Sequence, residues 1–474
     1  MGLALLASRC YMSSAAGYHE REDAAPRDAA TDPDGVADPE LEAPADTTWL
    51  LRIGGGRYED TFSIVETRDG GLVAAGKTTS YGPGESAIWI VKVAAGGQVL
   101  WQASLGGSAY ELDPVVVECR NGDLLLAGQT LSFGAGEDDI LLARLGEDGR
   151  ILWQEAIGGP LHDYARSIVE GSDGNIVIAG GSDSWGAGGG GFDAFVARLD
   201  GEGTLLWQKL LGGSASDGVQ AVVETMDAGI ILTGTTESFG AGASDLWVVR
   251  MDAGGGVVWE ESIGTGEDDY GTSLVERGDG TLAVGGGTMA YDENGGLVLL
   301  ELDGGGGLVS QRYLGGGKVE FAWSVAGTGD GGLIVGSSSN FSDPLEDDLF
   351  LMRLDDAGEI LWQRSIGGPW EDMLKAVIES GSGGYWAAGE GQTSDTDPES
   401  DDWDVYDIWI AKLDGQGQIT APCGFLKDTD AYWLEADLLT AASQARVRDA
   451  GTVVHASEAQ ASPTDAAPVF LCPE

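Results

Sequence analysis

The chain has 474 residues and is strongly acidic, with 78 Asp and Glu against 25 Lys and Arg and a net charge of −53. This balance excludes nucleic acid as a partner, because phosphate binding requires clusters of basic side chains. Gly is abundant, at 78 residues, but it is spread over repeated turns, which excludes a single low-complexity tract. We therefore expect a turn-rich globular protein whose acidic surface is solvated or attracts cations and basic partners.

The N-terminal segment has features of an exported protein. Residues 1–10, MGLALLASRC, resemble the remnant of a secretion signal, and Cys10 stands where a lipoprotein is acylated, although Arg9 departs from the small residue expected there. Residues 11–46 are rich in Ala, Asp, Glu and Pro without hydrophobic periodicity, which predicts a flexible acidic linker. We expect an extracytoplasmic location, with a membrane contacted only through a lipid on Cys10.

The central part of the chain repeats seven times. The segment WLLRIGG from Trp49 returns in related forms, and its first Gly falls at positions 54, 106, 158, 212, 264, 315 and 367, in steps of 51 to 54 residues. A period near 50 residues predicts a solenoid or a propeller.

Each repeat contains four short apolar runs. The first two are separated by a turn such as Asp69-Gly70 or Asn121-Gly122, whose residues tolerate the positive φ of a tight hairpin. Four strands per unit are typical of one propeller blade. A spare fourth strand with Trp49 precedes the first unit, and the last unit reaches Ile419 without one. We therefore predict an all-β, seven-bladed propeller over residues 47–420, closed by the N-terminal strand.

The remaining segment, residues 421–474, is predicted to be a short C-terminal appendage, either a helix or extra strands against blade seven. Cys423 and Cys472 bracket it and are predicted to form a disulfide in an oxidising compartment, the alternative being two unrelated thiols. Cys119 lies in the apolar run VVVEC and is predicted to be a buried thiol.

Aromatic and acidic residues are concentrated in the loops that follow each Gly-Gly pair, on one face of the predicted propeller. Rings offer apolar faces and carboxylates accept hydrogen bonds, so this rim is the candidate binding surface. The alternative is that rings plug the channel mouth and carboxylates cap strands. Residues that differ between blades are the better candidates, and the predicted ligand-binding residues are Tyr58, Tyr110, His162, Tyr164, Tyr270, Trp370 and Trp403.

The last repeat carries an acidic insertion from Asp395 to Asp407. Clustered carboxylates favour Ca²⁺. The stretch lacks the Gly and Glu positions of an EF-hand loop, so a solvated loop without a cofactor is the preferred interpretation. The alternative is a Ca²⁺ site formed by Asp395, Asp397, Asp401 and Asp404.

Three further residue types recur at fixed places in the repeat. The Trp of strand four is predicted to pack between adjacent blades. A Glu recurs in strand one and a basic residue in strand three, with Gly327 replacing the Glu in blade six and Glu301 replacing the basic residue in blade five. Because these exceptions fall in successive blades, we predict that the basic residue of one blade pairs with the Glu of the next.

The composite unit DGGLVAAGKTTSYGPGESAIWIVKV, closed by ILWQEAIGG, resembles the Trp- and Gly-rich repeats of secreted and surface-anchored bacterial propeller proteins, which are similar to quinoprotein-type propellers. The resemblance covers about residues 47–420 and implies a binding or scaffold module. Quinoprotein dehydrogenases imply a quinone cofactor and calcium, but this chain lacks the adjacent cysteines that contact that cofactor.

Two functions from different classes follow. The preferred one is a non-catalytic extracytoplasmic propeller that binds a protein or a glycan through its acidic, aromatic loop face. The alternative is a carbohydrate-active hydrolase or lyase that uses paired carboxylates on the same face.

Overall fold

The computed structural model describes residues 48–185, 191–291, 295–315, 322–343, 346–368, 370–392 and 405–419, and seven short strands between residues 426 and 470. Every regular element in this part of the chain is a β-strand. No helix long and apolar enough to cross a membrane occurs among these residues. Cys10 and the predicted linker lie outside the described residues.

The blades are seven antiparallel sheets arranged in a ring, as predicted. Strand one of each blade packs against strand one of the next, and the chain of contacts closes between blades seven and one. The blade strands in chain order are β1 (Trp49–Gly54), β2 (Ser63–Glu66), β3 (Leu72–Thr78), β4 (Ala87–Val93), β5 (Val99–Gly106), β6 (Glu111–Glu118), β7 (Leu124–Thr130), β8 (Asp139–Leu145), β9 (Ile151–Gly158), β10 (Asp163–Glu170), β11 (Ile176–Ser182), β12 (Asp193–Leu199), β13 (Leu205–Gly212), β14 (Asp217–Glu224), β15 (Ile230–Thr236), β16 (Asp245–Met251), β17 (Val257–Gly264), β18 (Asp269–Glu276), β19 (Leu282–Thr288), β20 (Gly296–Leu302), β21 (Leu308–Gly315), β22 (Ser324–Gly327), β23 (Leu333–Asp343), β24 (Glu346–Leu354), β25 (Ile360–Ile366), β26 (Asp372–Glu379), β27 (Tyr385–Gln392) and β28 (Tyr406–Leu413).

The N-terminal strand closes the ring. Blades one to six take their four strands consecutively from β2 to β25, whereas blade seven consists of β26, β27, β28 and β1. Leu51 of β1 lies opposite Ile410 of β28 in the antiparallel register. Backbone hydrogen bonds therefore join the two ends of the propeller in one sheet, which confirms the predicted closure.

The hydrophobic core consists of seven clusters, one between each pair of neighbouring blades. Successive residues of a strand serve different clusters: Leu72 of β3 packs toward blade seven, and Val73 packs toward blade two. Because both faces of each sheet are buried, the middle strands are continuous apolar runs. Full burial of one such side chain contributes about 1.5 to 3 kcal/mol.

The strand-four Trp joins its blade to the next in every blade except blade five, as predicted. The indole N–H of Trp101 donates to the carbonyl of Glu147, in the turn between strands three and four of blade two, at 3.0 Å. Its ring covers Gly149 of that turn, where an added Cβ would lie 2.9 Å from the indole and where φ is +76°. We call this arrangement the Trp latch; the corresponding indole donors are Trp49, Trp207, Trp259 and Trp362.

The recurring Glu of strand one stabilises the turn of the preceding blade. Glu170, for example, accepts a hydrogen bond from the backbone N–H of Arg120 at 2.8 Å. Glu66 of blade one does the same for Gly381 of blade seven at 2.6 Å, so the series continues across the closure. The other acceptors in the series are Glu118, Glu224, Glu276 and Glu379.

The predicted pairing of this Glu with the basic residue of the preceding blade is wrong for the basic residues of blades one to four and six. The strand-three basic residue binds the turn of its own blade instead, as where Lys92 Nζ lies 2.9 Å from Asp69 Oδ1. Arg144, Arg198, Arg250 and Arg353 pair in the same way with Asp123, Asp173, Asp227 and Asp330. Both residue types therefore bind the same turn, but the Glu binds its backbone and the cation binds its Asp. In blade seven, Lys412 and Glu66 of blade one both bind Ser380 Oγ; burial lowers the pKa of Lys412, and Glu66 opposes that shift.

Blade five has the opposite charge arrangement. Glu301 replaces the basic residue of strand three, and Arg277 occupies the turn position that is Thr67 in blade one. The two side chains form an ion pair of 2.8 Å. Blade five also lacks the latch Trp, and Arg312 donates instead to the backbone carbonyls of Ala357 and Gly358 in blade six.

The C-terminal segment surrounds the propeller. Its strands add a fifth, outermost strand to every blade, in the order six, five, four, three, two, one, seven. The prediction placed this segment against blade seven alone, whereas only the last of its strands pairs there. We call these strands the belt: β29 (Leu426–Asp428), β30 (Tyr432–Glu435), β31 (Leu439–Ala442), β32 (Arg446–Asp449), β33 (Val453–Ala456), β34 (Gln460–Pro463) and β35 (Ala467–Phe470).

Candidate ligand-binding site in the central channel

A β-bulge interrupts the start of strand one in five of the seven blades, namely blades two, three, four, five and seven. In blade three the register shifts between Ala165 and Ser167, which leaves Arg166 as the extra residue. Bulges of this kind change the direction of a side chain. The aligned residue in each blade, which we call the bulge position, is Phe62, Pro114, Arg166, Gln220, Thr272, Trp323 or Lys375.

The bulge position is different in all seven blades, although its surroundings repeat. Three residues before it, every blade has Asp or Glu, and two residues after it every blade has an aliphatic side chain. The residue directly after it often links neighbouring blades: Ser63 Oγ accepts a hydrogen bond from Val116 N at 3.2 Å. The repeat is therefore constant in type at the carboxylate and at the aliphatic residue, and it varies at the bulge position and at the two positions directly before it.

Four bulge residues line a cavity of about 270 Å³ in the channel. They are two aromatic residues, Phe62 and Trp323, and two basic residues, Arg166 and Lys375. Lys375 Nζ lies 5.9 Å from the centre of the Phe62 ring and 5.5 Å from the centre of a Trp323 ring. These distances are within the range of cation–π attraction. The cavity therefore combines apolar ring faces with hydrogen-bond donors.

Lys375 belongs to a polar network between blades seven and one. Its ammonium lies 3.3 Å from Glu390 Oε1, and the hydroxyl of Tyr58 donates to Glu390 Oε2 at 3.1 Å. Tyr58 also contacts the Tyr406 ring at 5.3 Å between centroids. Burial, with Glu390 second, raises the pKa of Tyr58, so its phenol remains a donor. Glu390 thereby holds both Lys375 and Tyr58.

Asp60 extends the network on the blade-one side. It is buried, its Oδ1 accepts the backbone N–H of Lys77 at 2.7 Å, and its Oδ2 lies 3.4 Å from Lys77 Nζ. Burial raises the pKa of Asp60, while Lys77 opposes the shift and Glu390 adds to it. Lys77 Nζ also lies 4.6 Å from the centre of the Tyr58 ring. We call Tyr58, Asp60, Lys77, Lys375, Glu390 and Tyr406 the blade 7–1 cluster.

A second cluster lies on the other side of the cavity, between blades two and three. Arg166 forms an ion pair with Asp113, and its guanidinium carbon lies 5.1 Å from the centre of the Tyr164 ring. Tyr164 contacts Phe192 at 5.4 Å between centroids, and burial raises its pKa. This contact connects the cavity to the rim loop that carries His162, whose ring lies 6.4 Å from Phe192.

His162 is held between two carboxylates. Its Nδ1 contacts Asp138 Oδ1, and its Nε2 lies 3.2 Å from Glu137 Oε2. The hydrogen bond to Asp138 raises the pKa of His162, against a smaller opposing effect of burial. Because both ring nitrogens face an acceptor, the structure favours the imidazolium, which donates from both nitrogens.

The predicted ligand-binding residues are only partly brought together. Tyr58 belongs to the blade 7–1 cluster. Tyr164 belongs to the second cluster, between blades two and three, and His162 lies on the rim loop beside it. Tyr110 and Trp370 are 46% and 38% exposed and have no aromatic partner among the described residues. Tyr270 lies in blade five, where burial and Asp268 raise its pKa to about 12. Trp403 lies outside the described residues.

In blades one to five and in blade seven, the carboxylate three residues before the bulge position caps its rim loop. Asp163, for example, is buried and accepts the backbone N–H of Gly159 at 2.8 Å. Asp217, Asp269, Asp372, Glu59 and Glu111 make the corresponding bond in their blades. Burial raises the pKa of Glu111, Asp163 and Asp269. The alternative interpretation, that rim carboxylates cap strands, is therefore correct for this series.

The remaining sequence predictions concern cysteines and metal. Cys119 is a buried free thiol, as predicted, and burial raises its pKa to about 12. Cys423 and Cys472, and the candidate Ca²⁺ ligands Asp395, Asp397, Asp401 and Asp404, lie outside the described residues. Within the described part of the chain, no group of three or more His, Cys, Asp or Glu side chains is arranged to hold a metal ion.

Sequence reasoning missed most of the channel-lining residues. The residues Phe62, Arg166, Trp323, Lys375 and Glu390 are not among the predicted ligand-binding residues. A partial signal is present in the alignment of the seven repeats, because this position differs in every blade. The bulges that hold Arg166 and Lys375 are visible only in the register of strands one and two.

No protein-family model and no curated protein matches the chain. Solved structures with a similar fold include Sqt1 from Chaetomium thermophilum, with 12% identity, a TM-score of 0.41, and coverage of 80% of this chain and 87% of that chain. A puromycin hydrolase has 16% identity and a TM-score of 0.41, over 72% of this chain and 50% of its own. A variant of the NanB sialidase from Streptococcus pneumoniae has 11% identity and a TM-score of 0.38, over 80% and 72%. This level of similarity carries no conclusion about function.

Proposed function

We propose that this protein is a non-catalytic, extracytoplasmic binding module that recognises a sugar residue of a glycan in the channel cavity. The observation that carries the proposal is that Phe62, Arg166, Trp323 and Lys375, four different side chains at one aligned position of the repeat, line a single cavity. A purely architectural position would repeat from blade to blade, as the latch Trp and the turn-binding Glu do. A cavity lined by side chains that differ between repeats is the pattern expected of ligand recognition on a repeated scaffold.

The chemistry of the cavity favours a glycan over a protein partner. Phe62 and Trp323 offer apolar faces on which a sugar ring stacks, while Lys375 and Arg166 supply donors already oriented by Glu390 and Asp113. The cavity volume of about 270 Å³ lies near the lower end of ligand pockets, roughly 300 to 1,000 Å³, and suits a single ring. A stable protein interface needs roughly 800 Å² from each partner, which only the wider loop face could supply.

The enzyme alternative rests on Asp60 and Glu390. A buried carboxylic acid with a raised pKa beside a second carboxylate is a pattern found in catalytic acid–base pairs. However, each of the two residues is only 1% exposed, and they are held by Lys77, Lys375 and Tyr58. These contacts favour a role in fixing the cavity lining.

The location and anchoring of the protein are proposed from the sequence. The segment before Cys10 resembles a processed secretion signal, and an acyl chain on Cys10 would tether the propeller through residues 11–46. Metabolic labelling with an alkyne fatty acid in a bacterial host should mark the wild type and not Cys10→Ser.

Ca²⁺ binding in the acidic insertion is the alternative to a cofactor-free protein, and higher thermal stability in CaCl2 than in NaCl of equal ionic strength would support it.

A glycan array probed with the full-length protein tests the proposal. We expect retention on a restricted set of glycans, and Trp323→Ala should weaken binding to the retained oligosaccharide more than tenfold, because a central aromatic anchor contributes about 2 kcal/mol or more. Met226→Ala is the matched control, because Met226 is 69% exposed in a turn on the opposite face. Binding to no glycan would contradict the proposal. Release of reducing ends that is lost in Asp60→Asn would favour the enzyme instead.

A further inference from the structure

The belt advances by the same step from each blade to the next. Every belt strand begins beside the last residues of a strand four: Leu439 lies opposite Gly264, and Ala442 lies opposite Glu261. Three residues then lead to the start of the next belt strand, at 429–431, 436–438, 443–445, 450–452, 457–459 and 464–466. The belt therefore makes six equivalent steps around the ring.

A seventh step of the same kind would close the belt. Its first strand, β29, lies on blade six, and its last strand, β35, lies on blade seven, which is the neighbour of blade six. The last residue of β35, Phe470, lies opposite Leu51, and Leu51 is three residues before Gly54. The other belt strands end at the same place: Glu435, the last residue of β30, lies opposite Arg312, which is three residues before Gly315. Leu426 at the start of β29 lies opposite Ile366. Because Ile366 is one residue before Gly367, the gap from Phe470 to Leu426 is equivalent to the gaps that four residues span elsewhere, such as residues 429–432 between Asp428 and Trp433.

Two cysteines stand at the two ends of this gap in the sequence. Cys472 follows Phe470 by two residues, and Cys423 precedes Leu426 by three. A connection through them contains residues 471, 472, 423, 424 and 425, one more than the four residues that span the equivalent gap in the other steps. A disulfide requires the two Cα atoms to lie roughly 4.4 to 6.8 Å apart, and the extra residue adds to the reach of the connection.

We propose that a Cys423–Cys472 disulfide closes the belt into a covalent ring around the propeller. The two thiols lose two protons and two electrons, and an oxidant of the disulfide class accepts them and becomes two thiols. The proposed extracytoplasmic location supplies such oxidants, but the ring does not depend on what the channel binds. The ring holds a fifth strand on the outer edge of all seven blades, including the closing blade.

The test is a non-reducing peptide map of the full-length protein folded in a glutathione redox buffer. The expected result is a Cys423–Cys472 linked peptide in most molecules, with Cys119 unmodified. Reduction should lower the thermal unfolding midpoint by about 5 °C, because the cross-link restricts the unfolded chain over a long loop. The Cys423→Ser and Cys472→Ser double variant should show no such change on reduction.

A relocated cysteine provides the matched control. Combining Cys472→Ser with Ala442→Cys places the second thiol on the belt strand of blade four, closer to Cys423 in sequence but two blades away in the ring. An unfolded chain would form this shorter loop more readily, whereas the closed belt predicts that it stays reduced. Free thiols in the folded wild type, a different disulfide partner, or equal cross-linking of the relocated pair would each overturn the proposal.

Discussion

The Trp latch and the bulge position lie at opposite ends of the same repeat and follow different rules. At the latch, on strand four, Trp recurs in six of seven repeats, and five of these indoles donate to a backbone carbonyl of the next blade. At the bulge position, on strand one, no residue type recurs. The outer strands therefore carry the contacts that hold the ring together, whereas the innermost strands carry side chains that differ from blade to blade. Substitutions at the two places should therefore separate stability from binding.

Loss of a latch should have the largest effect on stability. Trp362 is 8% exposed, and its indole lies against Gly417 and donates to Gly415 of blade seven at 3.3 Å. Trp362→Ala should lower the free energy of unfolding by about 3 to 5 kcal/mol, because it removes a large buried ring and leaves a cavity. Chemical denaturation measures this loss, with Met226→Ala expected within about 0.5 kcal/mol of the wild type. Equal losses in both variants would contradict the latch.

The inverted charges of blade five give the next largest effect. Glu301→Lys would place a second cation beside Arg277 and should lower the free energy of unfolding by about 2 kcal/mol or more, since the pair is largely buried. Adding Arg277→Thr recreates the Thr67, Asp69 and Lys92 arrangement, with Asp279 in the turn. The double variant should recover most of the loss in a double-mutant cycle. Additive losses would show that the two positions are independent.

A smaller, stabilising effect is expected in the turn of blade four. Ala228 has a φ of +63°, where the other turns place Gly, as Gly174 does in blade three with φ +83°. Ala228→Gly should raise the free energy of unfolding by up to about 1 kcal/mol, because Gly adopts this conformation without strain. Gly174→Ala should lower it by a similar amount. Opposite signs in the two variants confirm the turn geometry, and a loss in both would contradict it.

The smallest effect concerns His162 and pH. Its pKa in the folded protein is raised above about 6.5, so its contribution to stability is fully present below that value and is lost as the pH rises through the folded pKa. Proton NMR of the imidazole, assigned with His162→Gln, should give a midpoint above 6.5. Asp138→Asn should lower that midpoint, because it removes the main hydrogen bond. A midpoint unchanged by this substitution would exclude Asp138 as the cause.

The sequence predicts the blades well because each repeat carries its own strands and turns. The period of 51 to 54 residues and the spare strand at Trp49 are sufficient for the blade number and the closure. The belt is not predictable in this way, because edge pairing uses backbone groups that almost any sequence provides. Its strands have three or four residues each and follow no blade-like repeat.

The errors at the candidate site have a different physical cause. The recurring Glu and the recurring basic residue have opposite charges, which suggested that they pair with each other. Both bind the same turn instead: Glu170 accepts the backbone N–H of Arg120, and Arg144 forms an ion pair with Asp123. The rim carboxylates were predicted to take part in binding, but in six blades the carboxylate three residues before the bulge position caps its own loop. A capping Asp and a ligand-binding Asp cannot be told apart from the sequence, because the residue type is the same. Arg166 and Lys375 were missed because a bulge interrupts the alternation of side chains along a strand.

The most direct test of the division between latch and bulge is a titration of the oligosaccharide selected on the array against Trp323→Ala and Trp362→Ala, at a temperature where both variants are folded. We expect Trp323→Ala to bind this oligosaccharide more than tenfold more weakly than the wild type, while its unfolding midpoint stays near that of the wild type. Trp362→Ala should bind with nearly wild-type affinity despite its lower stability. Unchanged binding by Trp323→Ala, or equal losses of affinity in both variants, would contradict the claim that the channel cavity is the binding site.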